Sequence, residues 1–171
     1  MSYKVFIGVD VGRNSAMAVR EGNKITVHKI SMLEPKEASE RVQGILDTLK
    51  GYKKDEVCIT VEAPFCNVMQ SKSSVQKLGI SYGWWLATCY LLSSHTVYTV
   101  TANVWTSRLL LNGLSKSGRL LMLAELLERE NIELVHEGKL SHDGADATAI
   151  ALYASKYPNK LRKTVNEGWY A

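Results

Sequence analysis

Residues 4–10 read KVFIGVD, an apolar run of β-branched and aromatic residues that closes on an acid. Such a run, without polar alternation, is the pattern of a strand covered on both faces, so a chain built on it needs helices on each side of a sheet. Asp10 stands at the end of that strand, where an uncompensated carboxylate is costly. Either a cation lies beside it, or the following turn, which Gly12 suits, donates hydrogen bonds to it. The strand alone leaves both readings open.

The rest of the chain supplies the sheet and its cover. Residues 15–20 and 24–31 read as two further strands joined by Glu21-Gly22-Asn23, so three antiparallel strands open the fold. A helix starts at Pro35, carries Ala38, Val42, Ile45, Leu46 and Leu49 at helical spacing, and stops at Gly51. Residues 56–61 (EVCITV) form a fourth apolar strand that runs directly into Glu62. Residues 71–92 are a long helix interrupted by Gly79 and Gly83, ahead of Trp84 and Trp85. A glycine inside a helix costs roughly 1 kcal/mol, and close packing against another backbone is the expected reason for keeping two. A fifth strand covers 96–100, and a short helix over 102–111 is broken by Asn112-Gly113. An amphipathic helix over 116–130 presents Leu120, Leu123, Ala124 and Leu127, and residues 132–140 connect it to an alanine-rich helix over 141–154 capped by Ser141. This order predicts an α/β fold: a five-stranded mixed sheet, three antiparallel strands followed by parallel ones, flanked by helices. In such a sheet the first and fourth strands lie side by side, which brings Asp10 next to Glu62.

With 171 residues, 46% of them apolar, one core is expected, over residues 1–157, with a basic, loosely ordered tail over 158–171. No apolar run reaches membrane-spanning length and the N-terminus has no signal-peptide pattern, so a cytoplasmic protein without membrane contact is expected. Cys58, Cys66 and Cys89 lack CxxC or Cys/His spacing, which argues against a disulfide framework and against a zinc site. The net charge of +4 permits nucleic acid as a partner without demanding it.

The last helix carries Asp143 and Asp146 three residues apart, hence on one face, beside alanines that allow a close approach to a sheet. If it crosses the ends of the first and fourth strands, Asp10, Glu62, Asp143 and Asp146 converge. Carboxylates so packed repel one another unless divalent cations lie between them. All-oxygen ligation suits Mg²⁺, with Mn²⁺ able to substitute, and two such ions can drive phosphodiester hydrolysis. Each acid also has a plain reading: a turn cap at Asp10, a strand-end acid at Glu62, favourable helix N-terminal charges at Asp143 and Asp146. Their joint occurrence favours the metal site. His142 is equally a helper at that site or an exposed helix-start residue.

Val9-Asp10-Val11-Gly12, Val61-Glu62-Ala63-Pro64-Phe65 and His142-Asp143-Gly144-Ala145-Asp146-Ala147, in this order and at these separations, resemble the RuvC-type Holliday junction resolvases of the RNase H-like superfamily, phage-encoded members above all. The resemblance spans residues 4 to about 155. It implies that Asp10, Glu62, Asp143 and Asp146 are catalytic and bind two Mg²⁺ ions, and that a homodimer sets two sites on a four-way DNA junction to make paired nicks, in the cytoplasm of a bacterium or a phage-infected host. It further implies that Phe65 matches an aromatic that probes the junction centre; packing over the sheet edge is its other reading. The pattern departs in places: the bacterial motif has proline where this chain has Val11, and lysines where this chain has Val104-Trp105-Thr106. Lys116 matches a DNA-contacting lysine, while the second such position is taken by Trp105 or shifted to Arg108.

Lys72, Lys77, Arg108, Lys116 and Arg119 are the candidates for phosphate contact, and each phosphate neutralised would steepen the salt dependence of binding. Any one of them also reads as part of a solvated helix face. Three other functions stay open: an RNase H-like nuclease acting on RNA:DNA hybrids or flaps, a junction-binding module without activity, and an ATP-binding domain of the actin and sugar-kinase kind. The last rests on the similarity of residues 10–15, DVGRNS, to a phosphate loop, and it requires a second lobe that 171 residues do not supply.

Overall fold

The computed structural model describes residues 3–64 and 71–163. Alternation along the first strand, β1 (Val5–Asp10), decides the layering. Val5, Ile7 and Val9 enter one core, which leaves Phe6, Gly8 and Asp10 for the opposite face of the sheet. β1 pairs antiparallel with β2 (Asn14–Glu21), and β2 with β3 (Lys24–Ser31). On its other side β1 pairs parallel with β4 (Val57–Ala63), and β4 with β5 (Thr96–Thr101). These are the five expected strands, in the order β3-β2-β1-β4-β5.

Two short strands complete a seven-stranded sheet: β6 (Glu133–His136) lies parallel to β3 at one edge, and β7 (Arg162–Lys163) antiparallel to β5 at the other. Neither is legible in the sequence, because four and two residues are too few to show a period. The described part of the segment expected as a loose tail thus holds a 3-10 turn over Pro158–Lys160 and an edge strand.

One face of the sheet is covered by α1 (Pro35–Asp47) and α2 (Lys72–Leu92), the other by α3 (Ala102–Arg108), α4 (Lys116–Arg129) and α5 (His142–Lys156). The parallel connections β1 to β4 and β4 to β5 require such helices, and the sheet needs both faces covered because its central strands are apolar on both. No helix among the described residues is long and apolar enough to cross a membrane.

Helix α5 lies directly on β1. A Cβ built on Gly8 would fall 2.2 Å from the carbonyl oxygen of Ala147 and 2.4 Å from the nitrogen of Ala151, so helix backbone meets strand backbone with no side chain between them. The small residues Ala145, Ala147, Ala149, Ala151 and Ala154, all buried, allow this approach from the helix side. Ser141 starts the helix by accepting the Gly144 N–H at 3.0 Å.

Two expectations change. The helix expected over 102–111 stops at Arg108, and Leu110 takes a left-handed φ of 60°. The Leu110 and Leu111 N–H groups bond the Ser107 and Thr106 carbonyls, a Schellman closure that ordinarily uses glycine. Leu109 and Leu111 are buried on either side, and this turns Leu110 outward, 79% exposed. The close packing expected at Gly79 and Gly83 is not made among the described residues: a Cβ at either would meet nothing within 4 Å.

Two stability measurements check this account. Gly8→Ala is expected to lose about 3 kcal/mol in urea unfolding, because the clash is with backbone and only displacement of α5 relieves it. Leu110→Gly is expected to gain about 1 kcal/mol, since glycine adopts the left-handed conformation without strain and no buried contact is lost.

Candidate active site

Register sets the first two acids together. Gly8 lies beside Thr60 and Val9 beside Val61, so Asp10 and Glu62 are the next neighbours along β1 and β4. Glu62 sits within β4, which extends to Ala63, and not beyond its end as the apolar run implied. Alternation directs both side chains to the face that α5 covers. The Glu62 carboxyl lies close enough to Asp10 that its hydrogen bonding and its charge both disfavour the ionised form of Asp10.

Helix α5 brings the other two acids from the opposite end of the chain. Its first turns lie over the β1 and β4 ends, and Asp143 and Asp146 act electrostatically on Asp10. Burial foremost, then the hydrogen bond and charge of Glu62, hold the Asp10 carboxyl well above the usual carboxylate range. Asp146 is pushed up to about 6, by burial first; Glu62 and Asp143 add to the rise, and the Arg119 guanidinium opposes it.

Two donors address the cluster from α3 and α4. The indole Nε1 of Trp105, 1% exposed, donates to Glu62 Oε1 at 3.2 Å. Arg119 Nη2 donates to Asp146 Oδ2 at 3.0 Å. The turn after β1 is pinned from the other layer: Trp85 Nε1 donates to Ser15 Oγ at 3.0 Å, and Ser81 Oγ to the Gly12 carbonyl at 2.9 Å. The Gly12 N–H bonds Ser15 Oγ at 3.1 Å, so this turn closes on itself and does not offer that donor to a phosphate.

The sequence candidates separate accordingly. Asp10, Glu62, Asp143 and Asp146 come into mutual electrostatic reach, with Arg119 and the exposed Lys116 beside them at the start of α4. Lys72 and Lys77 are exposed on α2, in the layer on the other face of the sheet. Arg108 lies 6.0 Å from the centre of the Tyr157 ring. His142 is exposed at the first position of α5. Phe65 and Cys66 lie outside the described residues. Trp105, noted in sequence only as a departure from a lysine, is the donor to Glu62. Gly8, unmarked in a strand of larger apolar residues, sets the height of α5.

Among the described residues no three His, Cys, Asp or Glu side chains are already arranged to hold an ion. The donor set still fits a hard divalent cation: it is all carboxylate, its Asp10 carboxyl is held well above the usual range by burial and by its acidic neighbours, and a guanidinium stands at Asp146 where a cation could replace it.

The Thermus thermophilus RuvC structure in complex with Holliday junction substrate overlays this chain with a TM-score of 0.63 at 22% identity, covering 94% of this chain and 99% of that one. This chain has the RuvC fold. A second Thermus thermophilus RuvC structure overlays with a TM-score of 0.61 at 23% identity, covering 93% of this chain and 99% of that one. A yeast mitochondrial Holliday junction resolvase overlays at 0.53 and 14% identity, covering 93% and 81%. No protein-family model and no curated protein sequence matches the chain. The likeness to RuvC is therefore one of fold, in the layering of sheet and helices.

The charge state of the cluster is open to measurement. Because the Asp10 and Asp146 carboxyls are raised in the folded state, the stability they contribute is complete below the unfolded carboxylate range, near pH 4, and is lost as pH rises through their folded values. In chelator, the urea midpoint of the wild type relative to Asp10→Asn is therefore expected to fall from pH 4 to pH 8. At pH 8 the variant should be the more stable by about 1–2 kcal/mol.

Proposed function

We propose that this chain is a divalent-cation-dependent DNA endonuclease that resolves four-way junctions by paired nicks. The observation that carries the reading is the meeting of the half-buried Asp10 and Glu62 under the Asp143 and Asp146 turn of α5. Carboxylates are brought together at such a cost in repulsion and desolvation where a cation will join them. The RuvC fold adds the substrate: one of the overlaid proteins was solved with a Holliday junction, and another is named as a Holliday junction resolvase.

In this reading Asp10, Glu62, Asp143 and Asp146 hold two Mg²⁺ ions, for which Mn²⁺ can substitute. Ions bound there would activate a water and stabilise the charge that develops on the phosphodiester. The protein's own part is positional. Trp105 fixes the orientation of Glu62, the α2 network fixes the turn after Asp10, and the Gly8 contact fixes the height of Asp143 and Asp146 above the sheet. Lys116 and Arg119 open α4 beside the acids, where a phosphate would approach.

Paired nicking needs two sites, and we infer a homodimer formed across α2. Ile80, 65% exposed, and Leu91, 84% exposed, stand with the exposed Ala87 and the half-buried Trp84 at helical spacing, and Gly79 and Gly83 leave open space beside them. Such a face is suited to a second copy of the same helix.

The test is incubation with a labelled four-way junction, an RNA:DNA hybrid serving as control. Two symmetric nicks are expected with Mg²⁺ and none in chelator. Asp10→Asn and Glu62→Gln are expected to lose at least about 100-fold in nicking while retaining junction binding in Ca²⁺. Wild-type cleavage by either variant, or preferential cutting of the hybrid, would remove the assignment.

A further inference from the structure

Arg119 meets the acid cluster from within the chain. It lies in the first turn of α4, just after the Ser115 cap, and its contact with Asp146 is a single Nη2 to Oδ2 bond at 3.0 Å. Both side chains are largely withdrawn from water, at 23% and 19% exposure. The Arg119 Nε is shielded from solvent and, among the described residues, has no acceptor. A guanidinium is built to engage two acceptors in its plane, so one held by one edge, with a buried donor unspent, is incompletely used. One guanidinium and the exposed Lys116 also face four carboxylates, which leaves the cluster short of positive charge.

We infer that Arg119 is an exchangeable internal cation: it occupies Asp146 while the cluster holds no divalent ion, competes with that ion for the carboxylate, and is drawn off by a phosphate oxygen. The inference rests on the metal-dependent reading above and adds a coupling to it. An ion binding at Asp146 must displace the guanidinium or share the oxygen with it, and sharing sets like charges in contact. A phosphate approaching α4 offers Arg119 the acceptor its Nε lacks, and so frees Asp146. By linkage, phosphate then raises the affinity for the ion, and the ion raises the affinity for phosphate by the same factor. Arg119 is in this sense a positioning residue that sets the order in which the site fills.

The experiment is calorimetric titration of Mn²⁺ into metal-free protein, in the absence of DNA, for wild type, Arg119→Gln, Arg119→Lys, Asp146→Asn and the double variant Arg119→Gln/Asp146→Asn. Arg119→Gln is expected to bind Mn²⁺ about tenfold more tightly than wild type, with no such gain when Asp146 is already Asn. Arg119→Lys, which keeps the charge without the planar fork, is expected in between, and it decides the matter if the glutamine variant fails to fold. Junction affinity is then compared in Ca²⁺ and in chelator. Wild type is expected to gain from Ca²⁺ through the coupling, and Arg119→Gln to gain less. Equal or weaker Mn²⁺ binding by the Arg119 variants overturns the inference, as does an absence of Mn²⁺ binding in wild type and variants alike. A protein that gives the expected titrations yet leaves junctions uncut loses the nuclease reading and keeps this one.

Discussion

The contact between α5 and β1 at Gly8 governs the position of the acid cluster in this molecule. Strand and helix backbones meet there with no side chain as spacer. Acids that leave the two elements from adjacent positions, Asp10 on β1 and Asp143 and Asp146 on α5, are therefore held within each other's field. A larger residue at position 8 would lift the helix and dilute that field. The alanines of α5 serve the same end, since each bulkier side chain on that face would push the helix off the sheet.

The consequence is a site maintained against its own electrostatics. Burial and like charge raise the Asp10 and Asp146 carboxyls together, and the fold offsets part of the cost through the Trp105 indole at Glu62 and the Arg119 guanidinium at Asp146. These partners come from α3 and α4, on the face that carries the acids. The opposite layer contributes rigidity instead: Trp85 and Ser81 of α2 reach through to Ser15 and Gly12 and hold the turn that follows Asp10. The two helical layers thus have different tasks, one tuning charge and the other fixing backbone.

A parallel division holds for the two faces of α2. Its inner face packs Trp85 and Cys89 into the core, and its outer face keeps Ile80 and Leu91 in solvent beside two glycines where an added Cβ would meet nothing among the described residues. The expectation that Gly79 and Gly83 accept a neighbouring backbone finds no such neighbour among the described residues.

Much of the fold was readable in the sequence because its central strands are apolar on both faces and its helices carry periodic stripes: β1 to β5, the start of α1 and the Ser141 cap all follow from local chemistry. The edge strands β6 and β7 escaped because they are too short for a period, and the end of α3 because burial of Leu109 and Leu111 overrides the usual demand for glycine at Leu110. Of the candidate site, the sequence by itself determined which acids exist and which elements carry them, since a strand-end carboxylate and a helix-start aspartate are local features. The tertiary structure alone decided that Gly8 sets the helix height, that Trp105 serves Glu62 and that Arg119 pairs with Asp146. These are contacts between residues far apart along the chain, and their geometry depends on how packed layers settle against one another, which no local pattern of residues encodes.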